Sequence, residues 1–333
     1  MKHNKHYFLL ILLFSIYGFA QKELMLVEGF AQGTTYHITY LDANERFFKN
    51  EIDSILHNFD LSLSTYNPSS IISKINTNQK NVKLDNYFIT CFNKAKEVYK
   101  NTNGAFDPTV FPLVNAWGFG PGKKEKIEQK KIDSILKFVG LNLIKLKRNK
   151  IVKKDPRVCL DFNAFAQGYS VDVISDFLNY KGINSYIVEI GGEVFAKGKM
   201  TDGTNWNIAI EKPIDNKAAE NPALLSINLD GLAIATSGNY RKYFIENGMK
   251  YSHHIDPKTG YPAKNNLLSV SVISKKCIVS DANATGILVM GLEKAKKFLR
   301  KHSELEALLI YSDEEGNYQF YETPKFKLLR IKE

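Results

Sequence analysis

The amino-acid sequence predicts an α+β fold. Strand-like segments come in neighbouring runs, amphipathic helices fall between the runs, and no strand is followed by a dinucleotide- or phosphate-loop glycine spacing. Residues 35–41 alternate as a strand does. Residues 47–59 carry Phe48, Ile52, Ile55, Leu56 and Phe59 at helical spacing, and a polar loop covers 62–70. A second amphipathic helix spans 85–100 and ends at 101–104; a third spans 126–138, with Gly140 as its stop. Short strands are expected at 143–146, 151–153 and 158–161. A helix covers 166–180, with Gly182 just past its end. Strands resume at 185–190, 194–197, 206–210, 224–229, 232–236 and 268–273. Helices at 281–290 and 293–302 come late, and strands at 307–311 and 318–322 close the chain around a Glu-Glu-Gly-Asn turn. Neither an internal repeat nor a composition shift marks a domain boundary.

The first residues read as a leader. Lys2 and Lys5 precede an apolar run over residues 7–19, broken only by Ser15 and Gly18, and Gly18-Phe19-Ala20 is a small-x-small cleavage pattern. The run is short for a membrane-spanning helix, so residues 1–20 are expected to be a signal peptide and 21–333 the folded domain. No cysteine lies near residue 20 to take a lipid, and the expected destination is the periplasm. The membrane would be reached only through an uncleaved leader. The formal charge of +10 suits phosphates or an acidic partner. The lysine-rich stretches at 123–131 and 145–154 read equally as solvated faces, and aromatic residues do not interleave with basic ones as in a nucleic-acid surface. Cys91, Cys159 and Cys277 are odd in number and widely spaced, which suggests small buried residues rather than a disulfide or zinc framework.

The segment 251–262, YSHHIDPKTGYP, places two histidines and an aspartate in a turn-rich loop, where site residues concentrate. About twenty residues later comes Ser280-Asp281-Ala282-Asn283-Ala284-Thr285, read as a helix start. Asp281 and Thr285 are four apart and share a face, so a carboxylate and a hydroxyl are placed to hold a hard cation. The same pattern serves equally as an N-cap with a threonine bonded back to its helix. Asp161-Phe162-Asn163-Ala164-Phe165-Ala166-Gln167-Gly168 reads as a strand turning into a helix, either an anion-binding helix start or a plain capped turn. Gly191-Gly192-Glu193 and Thr236-Ser237-Gly238-Asn239-Tyr240 allow close backbone approach to a ligand, although a hairpin turn also uses Gly-Gly. Gly104-Ala105-Phe106-Asp107-Pro108-Thr109 and Trp117-Gly118-Phe119-Gly120 line either a flat ring pocket or core loops.

Taken together, Gln32-Gly33-Thr34-Thr35-Tyr36, Ser64-Thr65-Tyr66, GAFDPTV, DFNAFAQGYSVD, IVEIGGEV, TSGNYRKY, YSHHIDPKTGYP and SDANATGILVMG stand in the order found in the ApbE family of flavin transferases, which the chain resembles over about 260 residues. The resemblance implies the family's α+β, T-fold-related architecture, with mixed or antiparallel sheets and packed helices. It implies FAD as donor, Mg²⁺, and transfer of FMN to a Thr or Ser of a partner flavoprotein, a subunit of a membrane redox complex. The target segment it implies is like Asp-x-x-(Ser/Thr)-x-Ala-Thr.

By the same resemblance Asp281, Thr285 and the carbonyl of Ala164 are the Mg²⁺ ligands, and Tyr66 contacts the flavin. Gln32, Ala105, Phe106, Asp107, Asp161, Gln167 and Ile255 are the remaining FAD contacts, and His253 is the catalytic base. The chain departs from the family pattern at Gln32, where Met usually precedes Gly-Thr, at Gln167, where Lys or Glu often follows Ala, and at His254, usually aliphatic. An unperturbed imidazole titrates near neutrality, which suits proton removal from a hydroxyl. Two other activities fit the same residues: a Mg²⁺-dependent FAD pyrophosphatase releasing FMN and AMP, and a flavin-binding protein without catalysis.

Overall fold

Residues 23–121, 127–213, 223–239, 243–246 and 249–331 are described by a computed structural model. The expected leader, the lysines within 123–126 and Tyr240 lie outside the described residues. The chain begins with a hairpin of β1 (Glu23–Ala31) and β2 (Thr34–Asp42), turned at Gln32 and Gly33, both with left-handed φ. Sequence periodicity missed β1 because its outer face keeps Leu24, Leu26 and Phe30 exposed, so apolar residues occur on both faces of this edge strand. Helices α1 (Lys49–Leu63), α2 (Ile71–Asn76), α3 (Asn86–Asn101), α4 (Phe111–Ala116) and α5 (Gln129–Leu136) follow, then a small hairpin of β3 (Ile144–Lys147) and β4 (Lys150–Lys153). The central part holds α6 (Ala166–Tyr180), β5 (Tyr186–Ile190), β6 (Glu193–Lys197), β7 (Trp206–Glu211), β8 (Ala223–Leu229) and β9 (Leu232–Gly238). A short hairpin of β10 (Tyr243–Glu246) and β11 (Met249–Ser252) leads to β12 (Leu267–Ser274), α7 (Cys277–Met290), α8 (Leu292–Lys301), β13 (Glu306–Ser312), β14 (Tyr318–Glu322) and α9 (Phe326–Leu329).

Eight strands form one sheet in the order β1-β2-β5-β6-β9-β12-β13-β14, antiparallel at every pairing. Strand alternation divides its side chains between two faces. Tyr36, Ile38, Val188 and Phe195 pack with residues of α1 and α6. On the far strands Ala307 and Leu309 pack with Ile287 of α7 and Phe298 of α8. Val194, Ala196, Ile234, Leu308 and Ile310 point the other way, against the β7–β8 hairpin and Phe326 of α9. Among the described residues no helix is long and apolar enough to cross a membrane.

Residues 158–161 and the start of the late helix also differ from expectation. Residues 158–161 form no strand. Asn76 replaces a strand partner there: its side chain donates to the Leu160 carbonyl and accepts from the Leu160 N–H, both at 2.8 Å. The late helix does not start at Ser280 or Asp281 but at Cys277, and neither residue caps it. Its cap comes from α6: the carboxylate of Asp172 accepts the N–H groups of Cys277 at 2.8 Å and Ile278 at 3.0 Å. Asp281 performs the reverse service, accepting the Gly168 N–H in the first turn of α6 at 2.9 Å. Two helix N-termini are therefore satisfied by carboxylates exchanged between the helices. Gly168 permits this approach, because a Cβ there would meet the Cys277 carbonyl at 2.6 Å and Asp281 Cβ at 2.7 Å. Cys91 and Cys277 are buried as expected, whereas Cys159 is only partly buried; all three are free thiols.

Replacing Asp172 with Ala leaves two N–H groups of α7 without their acceptor, and lowers stability by about 1–3 kcal/mol. A urea-denaturation midpoint equal to wild type contradicts that role.

Candidate active site

The end of β9, the loop after β11, the start of α6, the middle of α7 and the loops after α1 and α3 surround a cavity of about 320 Å³. Asp281 and Thr285 enter it from α7, one turn apart, and the reading of a shared helix face holds although the helix begins earlier. Thr285 Oγ1 donates to the Ala164 carbonyl at 3.2 Å and lies 3.2 Å from Ser237 Oγ at the end of β9. Asp281 is buried, and among the described residues its carboxylate accepts a hydrogen bond from Gly168 only. Burial pushes its pKa up to about 7. Among the described residues no three His, Cys, Asp or Glu side chains gather as a metal cluster. The oxygen set of one carboxylate, one hydroxyl and one backbone carbonyl suits a hard cation such as Mg²⁺, which keeps much of its shell for water and phosphate.

The loop following β11 carries His253 and His254. It is closed by a bridge between Ile255 and Pro262, by Asp256 N–H to the Tyr261 carbonyl at 2.8 Å, and by Ala263 N–H to the His254 carbonyl at 2.8 Å. Trp117, just past α4, donates its indole N–H to the Gly260 carbonyl at 2.9 Å and packs on Tyr261, which pins the loop to the small core between α4 and α5. His253 lines the cavity, with its ring 3.9 Å from that of His254 and 6.2 Å from Phe119. His254 is buried and lines the same cavity.

Elsewhere on the cavity wall Tyr66 is 64% exposed, which leaves its ring available to a flat ligand. Its loop is tied to the α6 approach by Asn163 Nδ2 donating to Thr65 Oγ1 at 3.0 Å. Ala105, Phe106, Asp107, Asp161, Gln167 and Ile255 also line the cavity. Asp107 caps the following 3₁₀ turn by accepting from Thr109 N–H and Oγ1, yet burial raises its pKa to about 6. Desolvation raises Asp161 to about 6 as well, against one backbone hydrogen bond from Asn163. Gln32 is the one expected FAD contact that does not line the cavity; it sits in the β1–β2 turn, where its Oε1 accepts from Ser170 of α6 at 3.3 Å. The place of Ser237 beside Thr285 has no signal in the sequence, since Thr-Ser-Gly after a strand indicates only a close backbone approach.

The ApbE family model matches residues 32–309. The chain belongs to the ApbE family. A relative from Vibrio cholerae named FAD:protein FMN transferase is 35% identical over 314 residues, 92% of this chain and 92% of its own. One of the same name from Haemophilus influenzae is 37% identical over 309 residues, 88% of this chain and 89% of its own. Among solved structures, the flavin transferase ApbE from Vibrio cholerae superposes with a TM-score of 0.84 at 34% identity, covering 92% of this chain and 99% of that one. The ApbE fold expected from the sequence is thus the observed one, and the protein is a transferase.

The buried carboxyls give the ligand-free protein a signed pH dependence. Asp107 has an ordinary pKa of 3.8 and a folded one of about 6. Folding therefore favours its protonated form, and that stabilisation is complete below pH about 4 and lost as pH rises through about 6. The Asp107→Asn variant is expected to flatten the fall in melting temperature across this window; an unchanged pH profile contradicts the shift.

Proposed function

We propose that the protein moves FMN from FAD to a Thr or Ser hydroxyl of a partner flavoprotein, with Mg²⁺ bound, and releases AMP. The observation that carries this reading is that His253, the oxygen set of Asp281, Thr285 and Ala164, and the exposed ring of Tyr66 all border one cavity. The names of the Vibrio and Haemophilus relatives support the same donor and product. Asp281, Thr285 and the Ala164 carbonyl would hold Mg²⁺, which supplies charge neutralisation at phosphate oxygens. Tyr66 offers a face for the flavin ring. Asp107, Asp161 and Gln167 offer polar groups to the rest of FAD, and Ala105, Phe106 and Ile255 supply apolar walls.

In the reaction the acceptor hydroxyl oxygen attacks the phosphorus on the FMN side. His253 accepts the hydroxyl proton, the new oxygen–phosphorus bond forms, and the pyrophosphate bond breaks to AMP. The product carries FMN in phosphoester linkage. The leader-like residues 1–20 and the lack of a nearby cysteine support export with the leader removed, which would bring the enzyme to the outward-facing flavin subunit of a membrane redox complex.

The test is FMN labelling, read by mass spectrometry, of a synthetic peptide bearing Asp-x-x-Thr-x-Ala-Thr in the presence of FAD and Mg²⁺. The His253→Ala variant is expected to label at least about 100-fold more slowly while still binding FAD. Replacing His254 with Ile is expected to cost no more than about threefold, because that change retains a buried side chain of similar size. Labelling by His253→Ala at the wild-type rate removes the base. Free FMN appearing in place of labelled peptide favours the FAD pyrophosphatase, and FAD that persists unchanged favours a non-catalytic flavin binder.

A second expectation concerns the metal. Chelation with EDTA stops labelling, and added Mg²⁺ restores it in wild type but not in Asp281→Ala. Full labelling in EDTA would remove the cation from the reading.

A further inference from the structure

We propose that the acceptor segment docks as an added strand on the free edge of β7. This rests on the transferase reading of the neighbouring cavity, which requires a protein backbone to approach it. A groove of about 130 Å³ adjoins the cavity, and Gly191, Glu193, Thr236 and Gly238 line both. Its outer wall is formed by residues 208–211 of β7.

The polarity of that edge follows from the pairing of β8. Ile331 N–H donates to the Ser226 carbonyl at 2.9 Å, so the main-chain groups of Ser226 point away from β7 toward the C-terminal segment. Alternation in an antiparallel ladder then turns Ile227 and Leu225 toward β7, where their partners are Ile208 and Ile210. The main-chain N–H and C=O of Asn207 and Ala209 must therefore point outward. Lys199 bridges Asn205, the residue just before β7, and among the described strands none pairs with the outward groups of Asn207 and Ala209. An edge of this kind is a template for another extended chain, with main-chain bonds giving affinity.

Two further features favour an extended peptide over a compact ligand. The side chains of Asn207 and Ala209 are exposed, while Ile208 and Ile210 are committed to the core beneath, so the edge presents mainly backbone. The other wall includes Gly191 and Gly192, and the space beside Gly192 is open, since a Cβ there would meet nothing within 4 Å. A strand rises about 3.3 Å per residue, so pairing from Asn207 to Ala209 and into the shared wall engages only a short segment. The hydroxyl residue following that segment would enter the reaction cavity beside Ser237 and Thr285. The edge thus explains how a transferase can hold a target through its backbone while the cavity reads one side chain.

The experiment uses FAD, Mg²⁺ and the synthetic peptide bearing Asp-x-x-Thr-x-Ala-Thr, with wild type and Ala209→Pro. Proline removes the outward N–H of residue 209 and fills the edge. The expected result is a rise of about tenfold in KM for peptide, with the Kd for FAD within about twofold of wild type. Hydrogen exchange on the wild-type protein gives an independent readout: amides of 206–211 should gain protection when peptide is added to the FAD-bound enzyme. Equal KM values together with unchanged exchange overturn the docking edge while leaving the transferase reading intact. A Kd for FAD weakened about tenfold assigns the groove to FAD and also overturns it. If wild type adds no FMN to the peptide, the transferase reading fails for this acceptor and the docking edge falls with it.

Discussion

The exchange of carboxylates between α6 and α7 is the constraint on which the site depends. Each helix begins without a side-chain cap of its own, and each takes one from the other: Asp172 serves α7 and Asp281 serves α6. The arrangement fixes the two N-terminal turns against each other across Gly168, where no side chain could fit. It also shapes one wall of the cavity. Thr285 lies one turn beyond Asp281, and the Ala164 carbonyl lies just before α6, so the lock that joins the helices also gathers three kinds of oxygen at one wall of the cavity. Asp281 therefore joins the two helices and lines the cavity at once, and burial raises the pKa of its carboxyl to about 7.

The large sheet supplies the rest of the frame. Its central strands end beside the cavity, and β9 brings Ser237 to Thr285. The histidine loop is anchored from outside the sheet, through Trp117 and the core between α4 and α5. The Tyr66 loop, the oxygen set and the histidine loop thus hang on three separately packed parts of one fold and border one cavity of about 320 Å³.

Much of this was legible where a signal is local. Helix α6 has the expected bounds because its apolar period and the Gly182 stop lie within a few residues. The His-His-x-Asp-Pro and Gly-Tyr-Pro residues announced a turn, and the turn is there. The spacing of Asp281 and Thr285 fixed their common face whatever the start of the helix. What was not legible depends on distant partners. The start of α7 at Cys277 is set by a carboxylate 105 residues earlier. The extended chain at Leu160 is satisfied by Asn76, 84 residues away. The edge strand β1 shows no alternation because its outer face is apolar. Gln32, in the β1–β2 turn, accepts a hydrogen bond from Ser170 of α6, another such partner, 138 residues away.

The most direct measurement is a crystal structure of the enzyme with FAD bound. The FAD pyrophosphate is predicted to lie against Asp281, Thr285 and the Ala164 carbonyl, with the flavin ring on Tyr66 and the FMN-side phosphorus facing His253. A pyrophosphate bound away from the α6–α7 junction, or a flavin ring remote from Tyr66, would contradict it.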